Sequence, residues 1–208
     1  MIEFSTAFSQ MPLIAILRGL EVVNAISVSD VLVQSGFRVI EVPLNSPNAL
    51  KSIATISKRH GLEAIIGGGT VLSVDQVHEI AEVGGRLIVS PNMNPKVGQA
   101  ALERGLYWCP GIVTPSEAFA ALEMGASALK VFPAEMIPPK AIVAMRAVLP
   151  FDAKIAAVGS ITPDTIPPYL EAGVNGFGLG SALFKPSYNS AEIAYRAKTF
   201  IEALERSE

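Results

Sequence analysis

The stretch YWCPGIVTPSEAFAALEMGASALKVFP (107–133) contains one whole structural period. It opens on a short apolar run, YWCPG (107–111). Thr114 and Pro115 follow, as an N-cap and a first-turn proline, with an acidic residue within three positions. The helix pattern TPSEAFAALEMG (114–125) ends on Gly125, which suits a left-handed cap. A second apolar run, ALKVFP (128–133), then begins. A strand, a capped helix and another strand with no reversal between them predict a βαβ unit with parallel strands.

The same period of about 20–25 residues recurs outward in both directions. Upstream lie LIAIL (13–17), VIEVPL (39–44), AIIGGG (64–69) and LIVSP (87–91), and downstream KIAAVG (154–159) and GFGLGS (176–181). Further helix patterns are EVVNAISVSDVLVQSG (21–36), SVDQVHEIAEVG (73–84) and TPDTIPPYLEAG (162–173), with Ser73 and Thr162 as caps. Gly36, Gly61, Gly84, Gly105 and Gly173 stand where helices should stop. Residues 191–207 read as a last helix, with Ala194, Ala197, Ile201 and Leu204 as its buried stripe. Eight such runs predict an α/β fold, a closed (β/α)₈ TIM barrel, with 1–208 as a single domain. Residues 2–10 are expected to form an extra helix across the barrel bottom. An open doubly wound sheet would place a GxGxxG turn after the first strand, where this chain has ArgGlyLeuGlu (18–21).

Bulk properties narrow the function. A net charge of −3 gives no electrostatic support for nucleic acid or an anionic membrane. Mean hydropathy is +0.42, yet no apolar run approaches the ~18 residues that span a bilayer. The N-terminus has no signal-peptide pattern, and the single cysteine, Cys109, cannot form an intrachain disulfide. The expectation is a cytoplasmic protein.

Barrel enzymes carry their chemistry at the C-terminal ends of the strands. Lys130 lies within an apolar run, where desolvation opposes its charge and lowers its pKa toward a nucleophilic amine. It also reads as half of a structural ion pair with Glu41, or as a lysine snorkelling from the barrel end. Glu41, the one carboxylate within a predicted strand, reads as a proton carrier or as charge compensation. Arg18 suits a substrate carboxylate or is an ordinary surface arginine. Gly67–Thr70 reads as a close backbone approach to a ligand or as a tight turn. AVGSITP (157–163) and GLGS (178–181) follow strands seven and eight, where this fold often holds phosphate. They point to a sugar phosphate, or are ordinary loop glycines. His60 and His78 lack metal-site spacing and read as surface residues, and Cys109 as an inert buried thiol. Trp108 and Tyr107 read as packing residues. Glu135 either lines the mouth or is solvated.

In order along the chain, PLIAILRG (12–19), IEVPLNSP (40–47), IGGGTVL (66–72), IVSPNMN (88–94), CPGIVTPSEA (109–118), ALKVFPAE (128–135), AVGSITP and GLGS resemble the 2-keto-3-deoxy-6-phosphogluconate aldolase family. The resemblance implies a class I aldolase: an eight-stranded barrel, typically a homotrimer, with no metal and no cofactor. It makes Lys130 the Schiff-base lysine and Glu41 the proton donor and acceptor. Thr70 and the backbone near Pro91 would surround the pyruvate part, and the turns Gly159–Ser160 and Gly180–Ser181 the phosphate. The gluconate branch has an arginine four residues after the catalytic glutamate. Here that position is Asn45, and an arginine stands instead at Arg18, which resembles the galactonate branch. The implied reaction cleaves 2-dehydro-3-deoxy-6-phosphogalactonate to pyruvate and glyceraldehyde 3-phosphate. The alternatives are the gluconate epimer or both epimers, a metal-free phosphosugar isomerase or epimerase with Glu41 as base, and a non-catalytic phosphometabolite-binding barrel. One departure is Ser160, where the family commonly has a second glycine. Serine keeps the backbone N–H but is strained if φ is positive.

Overall fold

The computed structural model describes residues 1–206; Ser207 and Glu208, the ends of the expected last helix and of the 1–208 domain, lie outside the described residues. The strands are β1 (Leu13–Ile16), β2 (Val39–Pro43), β3 (Ile65–Gly69), β4 (Leu87–Val89), β5 (Tyr107–Cys109), β6 (Gly111–Ile112), β7 (Leu129–Val131), β8 (Ile155–Val158) and β9 (Gly176–Leu179). All pairings are parallel, in the order β5-β4-β3-β2-β1-β9-β8-β7-β6. The two ends of that order, β5 and β6, are halves of the single run YWCPG, divided at Pro110. Proline has no N–H for the ladder, so regular pairing breaks there. The Pro110 carbonyl still accepts from Lys130 N–H at 2.9 Å, and the Cys109 carbonyl from Ser90 N–H at 3.2 Å. The fifth barrel strand thus faces β4 with its first half and β7 with its second. The eight expected runs are the eight staves of a TIM-type barrel.

The helices are α1 (Phe4–Gln10), α2 (Ala25–Gln34), α3 (Ala49–His60), α4 (Val74–Glu82), α5 (Pro95–Glu103), α6 (Pro115–Glu123), α7 (Pro139–Arg146), α8 (Ile166–Glu171) and α9 (Ser190–Glu205). Two expected helices begin instead in 3₁₀ turns, at Val22–Asn24 and Pro163–Thr165. In the second, Pro167 and Pro168 cannot donate within a helix, so α8 starts at Ile166 and keeps both in its first turn. The caps at Ser73 and Thr114 close as capping boxes, with Gln76 and Glu117 as the returning side chains. Gly36, Gly84, Gly105, Gly125 and Gly173 all have positive φ, whereas Gly61 has φ −63° and continues the right-handed turn of α3. No helix among the described residues is long and apolar enough to cross a membrane.

Both faces of every strand are covered, so the strand sequences barely alternate. The packing does. Ile40, Val42, Leu129 and Val131 face outward, into the layer shared with the helices. Val39, Ile65, Leu87, Val89, Cys109, Ala128 and Ala156 face inward and pack on Phe4, Ala7 and Phe8 of α1. The i, i+3, i+4 spacing of those three residues puts one helical stripe across the barrel floor, as expected for residues 2–10. Gly176 makes room for it: a Cβ there would meet Phe8 Cζ at 2.5 Å. Period two along β2 and β7 then places Glu41 on the face of Val39, and Lys130 on the face of Ala128. Both project into the barrel interior, above the plugged floor.

Candidate active site

Glu41 is 2% exposed and its Oε2 has no hydrogen-bond partner. Burial raises its pKa from the ordinary 4.5 to about 7, against the opposing pull of Lys130 and Arg18. Such a carboxyl is present in both protonation states near neutral pH. It rests against the bare backbone of Gly69, where a Cβ would lie 1.5 Å from Oε2 and 2.3 Å from Cδ. Gly69 lies on the same inward face as Ile65, two pleats on. The glycine run therefore gives space to a carboxylate of the protein itself.

Lys130 is 7% exposed, with Nζ 4.7 Å from the centre of the Phe132 ring. Desolvation is the largest influence on it and lowers its pKa; Arg18 acts in the same direction, while Glu41 and Cys109 oppose. No carboxylate comes within 4.0 Å of its amine among the described residues. The pair is coupled through space without being locked as a direct ion pair. A less basic amine and a carboxyl poised near 7 can attack a carbonyl and shuttle protons, respectively. Cys109, on the same inner face, is pushed up to about 12 by burial and stays a neutral thiol.

Arg18 follows β1, is exposed, and donates from Nη1 to Asn45 Oδ1 at 2.8 Å. One residue on, Gly19 N–H donates to Ser46 Oγ at 2.9 Å. The two motifs ILRG and LNSP are thus one hydrogen-bonded corner. Arg18, Gly159, Ser160, Gly180 and Ser181 line a single cavity of about 540 Å³ at the C-terminal ends of β1, β8 and β9. Phe132 forms part of its wall and links it to Lys130. Thr70 and Pro91, at the ends of β3 and β4, share the barrel mouth but do not line this cavity.

Three polar residues in the loops that follow the strands have left-handed backbones: Asn48 at φ +48°, Thr70 at φ +57° and Ser160 at φ +50°. Such a conformation costs a non-glycine residue about 1–2 kcal/mol and persists where surrounding structure imposes it. Ser160 is therefore strained, as its departure from a second glycine would cause. Glu135 is exposed, with its carboxylate against Gly159.

Several expectations change here. His60 is buried, not at the surface: its Nε2 stands 2.8 Å from Asp30 Oδ1 and its Nδ1 3.1 Å from Glu63 Oε1, which joins α2 to the end of α3. His78 is half-buried. Tyr107 and Trp108 pack as expected, Tyr107 near Phe4 and Trp108 under Gly98 of α5. Sequence reasoning missed Phe132, Lys185, Tyr188 and Arg196 as cavity residues. Lys185 follows Ser181 by four positions, a usable signal. Arg196 lies inside an ordinary amphipathic helix and carried none.

Comparison with known proteins gives a consistent picture. The profile of the family described as KDPG and KHG aldolase matches residues 5–204. A protein of Rhizobium meliloti (strain 1021) named "Probable 2-dehydro-3-deoxy-6-phosphogalactonate aldolase" is 47% identical over 188 residues, 90% of this chain and 89% of that protein. The "2-dehydro-3-deoxy-6-phosphogalactonate aldolase" of Escherichia coli (strain K12) is 42% identical over 195 residues, covering 94% and 95% of the two chains. A solved structure described as "Native KDPGal structure" superposes with a TM-score of 0.93 at 41% identity, covering 95% of this chain and 96% of that one. With the fold, the interior Lys130 and Glu41 and these matches in hand, the chain belongs to the KDPG and KHG aldolase family.

Proposed function

We propose that this protein is a class I aldolase that cleaves 2-dehydro-3-deoxy-6-phosphogalactonate, with Lys130 as the Schiff-base residue and Glu41 as the proton carrier. The observation that carries this reading is the buried pair itself. One barrel interior holds an amine depressed by desolvation and a carboxyl raised to about 7. Neither perturbation serves a direct structural ion pair. The galactonate assignment rests on the names of the two relatives and on the Arg18–Asn45 corner.

In this mechanism the substrate carboxylate lies near Arg18 and Thr70, with the Pro91 backbone beside the pyruvate part. The phosphate sits at the turns Gly159–Ser160 and Gly180–Ser181. The neutral Lys130 amine adds to the C2 carbonyl. The Glu41 carboxyl gives a proton to the carbinolamine hydroxyl, and water leaves to form an iminium. The Glu41 carboxylate, directly or through a water, then takes the C4 hydroxyl proton. The C3–C4 bond breaks, its electrons pass into the iminium as an enamine, and glyceraldehyde 3-phosphate departs. Glu41 returns the proton to C3, and water hydrolyses the new iminium to pyruvate and free neutral Lys130, the proton released in that hydrolysis going back to the Glu41 carboxylate. Each proton taken is given back, which suits a group poised near neutral pH.

Incubation with pyruvate and borohydride tests the reading: a stable pyruvyl adduct is expected on Lys130. Turnover without that adduct would refute the covalent mechanism and favour an isomerase-type use of Glu41. Parallel kinetics on the galactonate and gluconate epimers test the substrate. The proposal includes a homotrimer working in the cytoplasm, as is typical of the family. Exposed Leu72, Val113 and Met136 follow β3, β6 and β7 around the mouth and offer apolar surface for association. Light scattering coupled to size exclusion would measure the oligomer.

A further inference from the structure

We propose that Lys185 is the residue that makes this site select a phosphorylated over an unphosphorylated substrate. The inference rests on the aldolase reading for the identity of the substrate, but its own support lies in the cavity. The lining includes three cations, Arg18, Lys185 and Arg196, and no carboxylate. One of the three is matched by a carboxylate and one is held by a neutral amide. Arg18 donates to Asn45 at 2.8 Å. Arg196 donates to Glu192 Oε1 at 2.7 Å and to the Ala182 carbonyl at 3.1 Å, so its charge is matched within α9. Lys185 has no carboxylate within 4.0 Å among the described residues. With Arg18, held by a neutral amide, given to the substrate carboxylate, Lys185 is the cation of this wall left for the phosphate.

Its position is also constrained. Leu183 and Phe184 N–H groups both donate to the Gly180 carbonyl, at 2.9 and 3.0 Å. That turn connects Ser181 to Lys185, and both line the cavity. The Lys185 amine stands 5.5 Å from the centre of the Tyr188 ring, and the Arg196 guanidinium is 4.4 Å from the same ring. Arg196, pinned by Glu192, fixes Tyr188, and Tyr188 supplies an apolar surface for Lys185. The backbone turns at 159–160 and 180–181 offer neutral N–H groups, which orient an anion. A lysine supplies a full charge, which discriminates the phosphate from the neutral hydroxyl of an unphosphorylated analogue. Because Lys185 is exposed at the rim, its effect is expected in binding and to weaken with salt.

The test compares wild type, Lys185→Met and Lys185→Arg by two measurements. The first is the dissociation constant of inorganic phosphate by titration calorimetry at low and moderate salt. The second is kcat and KM for the phosphorylated keto-deoxy acid and its unphosphorylated counterpart. Lys185→Met is expected to weaken phosphate binding, and to raise KM for the phosphorylated acid, by about 10-fold with kcat little changed. Lys185→Arg is expected to restore most of the affinity. Equal losses on both substrates, or unchanged phosphate affinity in Lys185→Met, would overturn the proposal. If wild type forms no pyruvyl adduct on Lys130 yet its phosphate affinity still depends on Lys185, the aldolase reading fails and the phosphate assignment stands.

Discussion

Replacing Gly69 by alanine adds one methyl group to the barrel interior. Its Cβ would lie 1.5 Å from Glu41 Oε2, 2.3 Å from Cδ and 2.6 Å from Oε1. Ordinary contact begins at roughly 3.5 Å, so the carboxylate must withdraw by about 2 Å. Misplacing a catalytic group by about 1 Å typically costs on the order of 100-fold in rate, so kcat should fall about 100- to 1,000-fold. Overpacking should also cost about 1–3 kcal/mol, lowering Tm by roughly 2–10 °C in a chain of this size. The assay is pyruvate release at 25 °C, coupled to NADH oxidation by lactate dehydrogenase, with circular dichroism to confirm folding. Gly68→Ala is the matched control. Its Cβ points outward and meets the flexible tip of Ile80 at 2.3 Å, so it should lose stability and keep its kcat. A folded Gly69→Ala enzyme within about threefold of wild-type kcat would refute the reasoning, as would an equal loss of kcat in Gly68→Ala.

Three more predictions follow from the same structure. The Glu41 carboxyl ionises near 4.5 when exposed and near 7 when folded. Between those values the native state holds a proton that the unfolded chain has lost, so this group's contribution makes stability fall as pH rises through that window. Glu41→Gln should therefore be more stable than wild type above pH 7, by up to about 3 kcal/mol in urea melts, with no gap at pH 4; its activity should drop about 100- to 10,000-fold. Ser160→Gly should relieve the φ +50° strain and raise stability by about 1 kcal/mol or less, while phosphate binding persists through the backbone N–H; a destabilised variant in thermal melts would contradict this. Phe8→Ala should cost about 3–5 kcal/mol by opening the barrel floor, with kcat preserved below the unfolding transition; a stability change under about 1 kcal/mol would show that α1 does not seal the core.

How legible was this protein in its sequence? The period of run, cap, helix and glycine is local chemistry, and it was enough for the barrel. An N-cap such as Thr114, a first-turn Pro115 and a left-handed stop at Gly125 act within a few residues of themselves. The same locality made Lys130 and Glu41 visible as charges inside apolar runs. Their direction was not visible, because strands covered on both faces show no alternation of residue type. Only the closure of the sheet and the helix beneath it separate an inner from an outer face. The proximity of Gly69 to Glu41, the contact of Arg18 with Asn45 and the burial of His60 between Asp30 and Glu63 also needed the fold. Each joins residues on different elements. Lys185 and Arg196 reach one cavity for the same reason, through a turn and a helix whose sequences look ordinary. The sequence by itself determined the elements, their order and the two unusual charges, because these follow from propensity, capping and desolvation read locally. Tertiary structure alone decided which charges share a space and which cations of the site stand without a carboxylate partner, because desolvation and Coulomb coupling depend on distances that only the closed barrel sets.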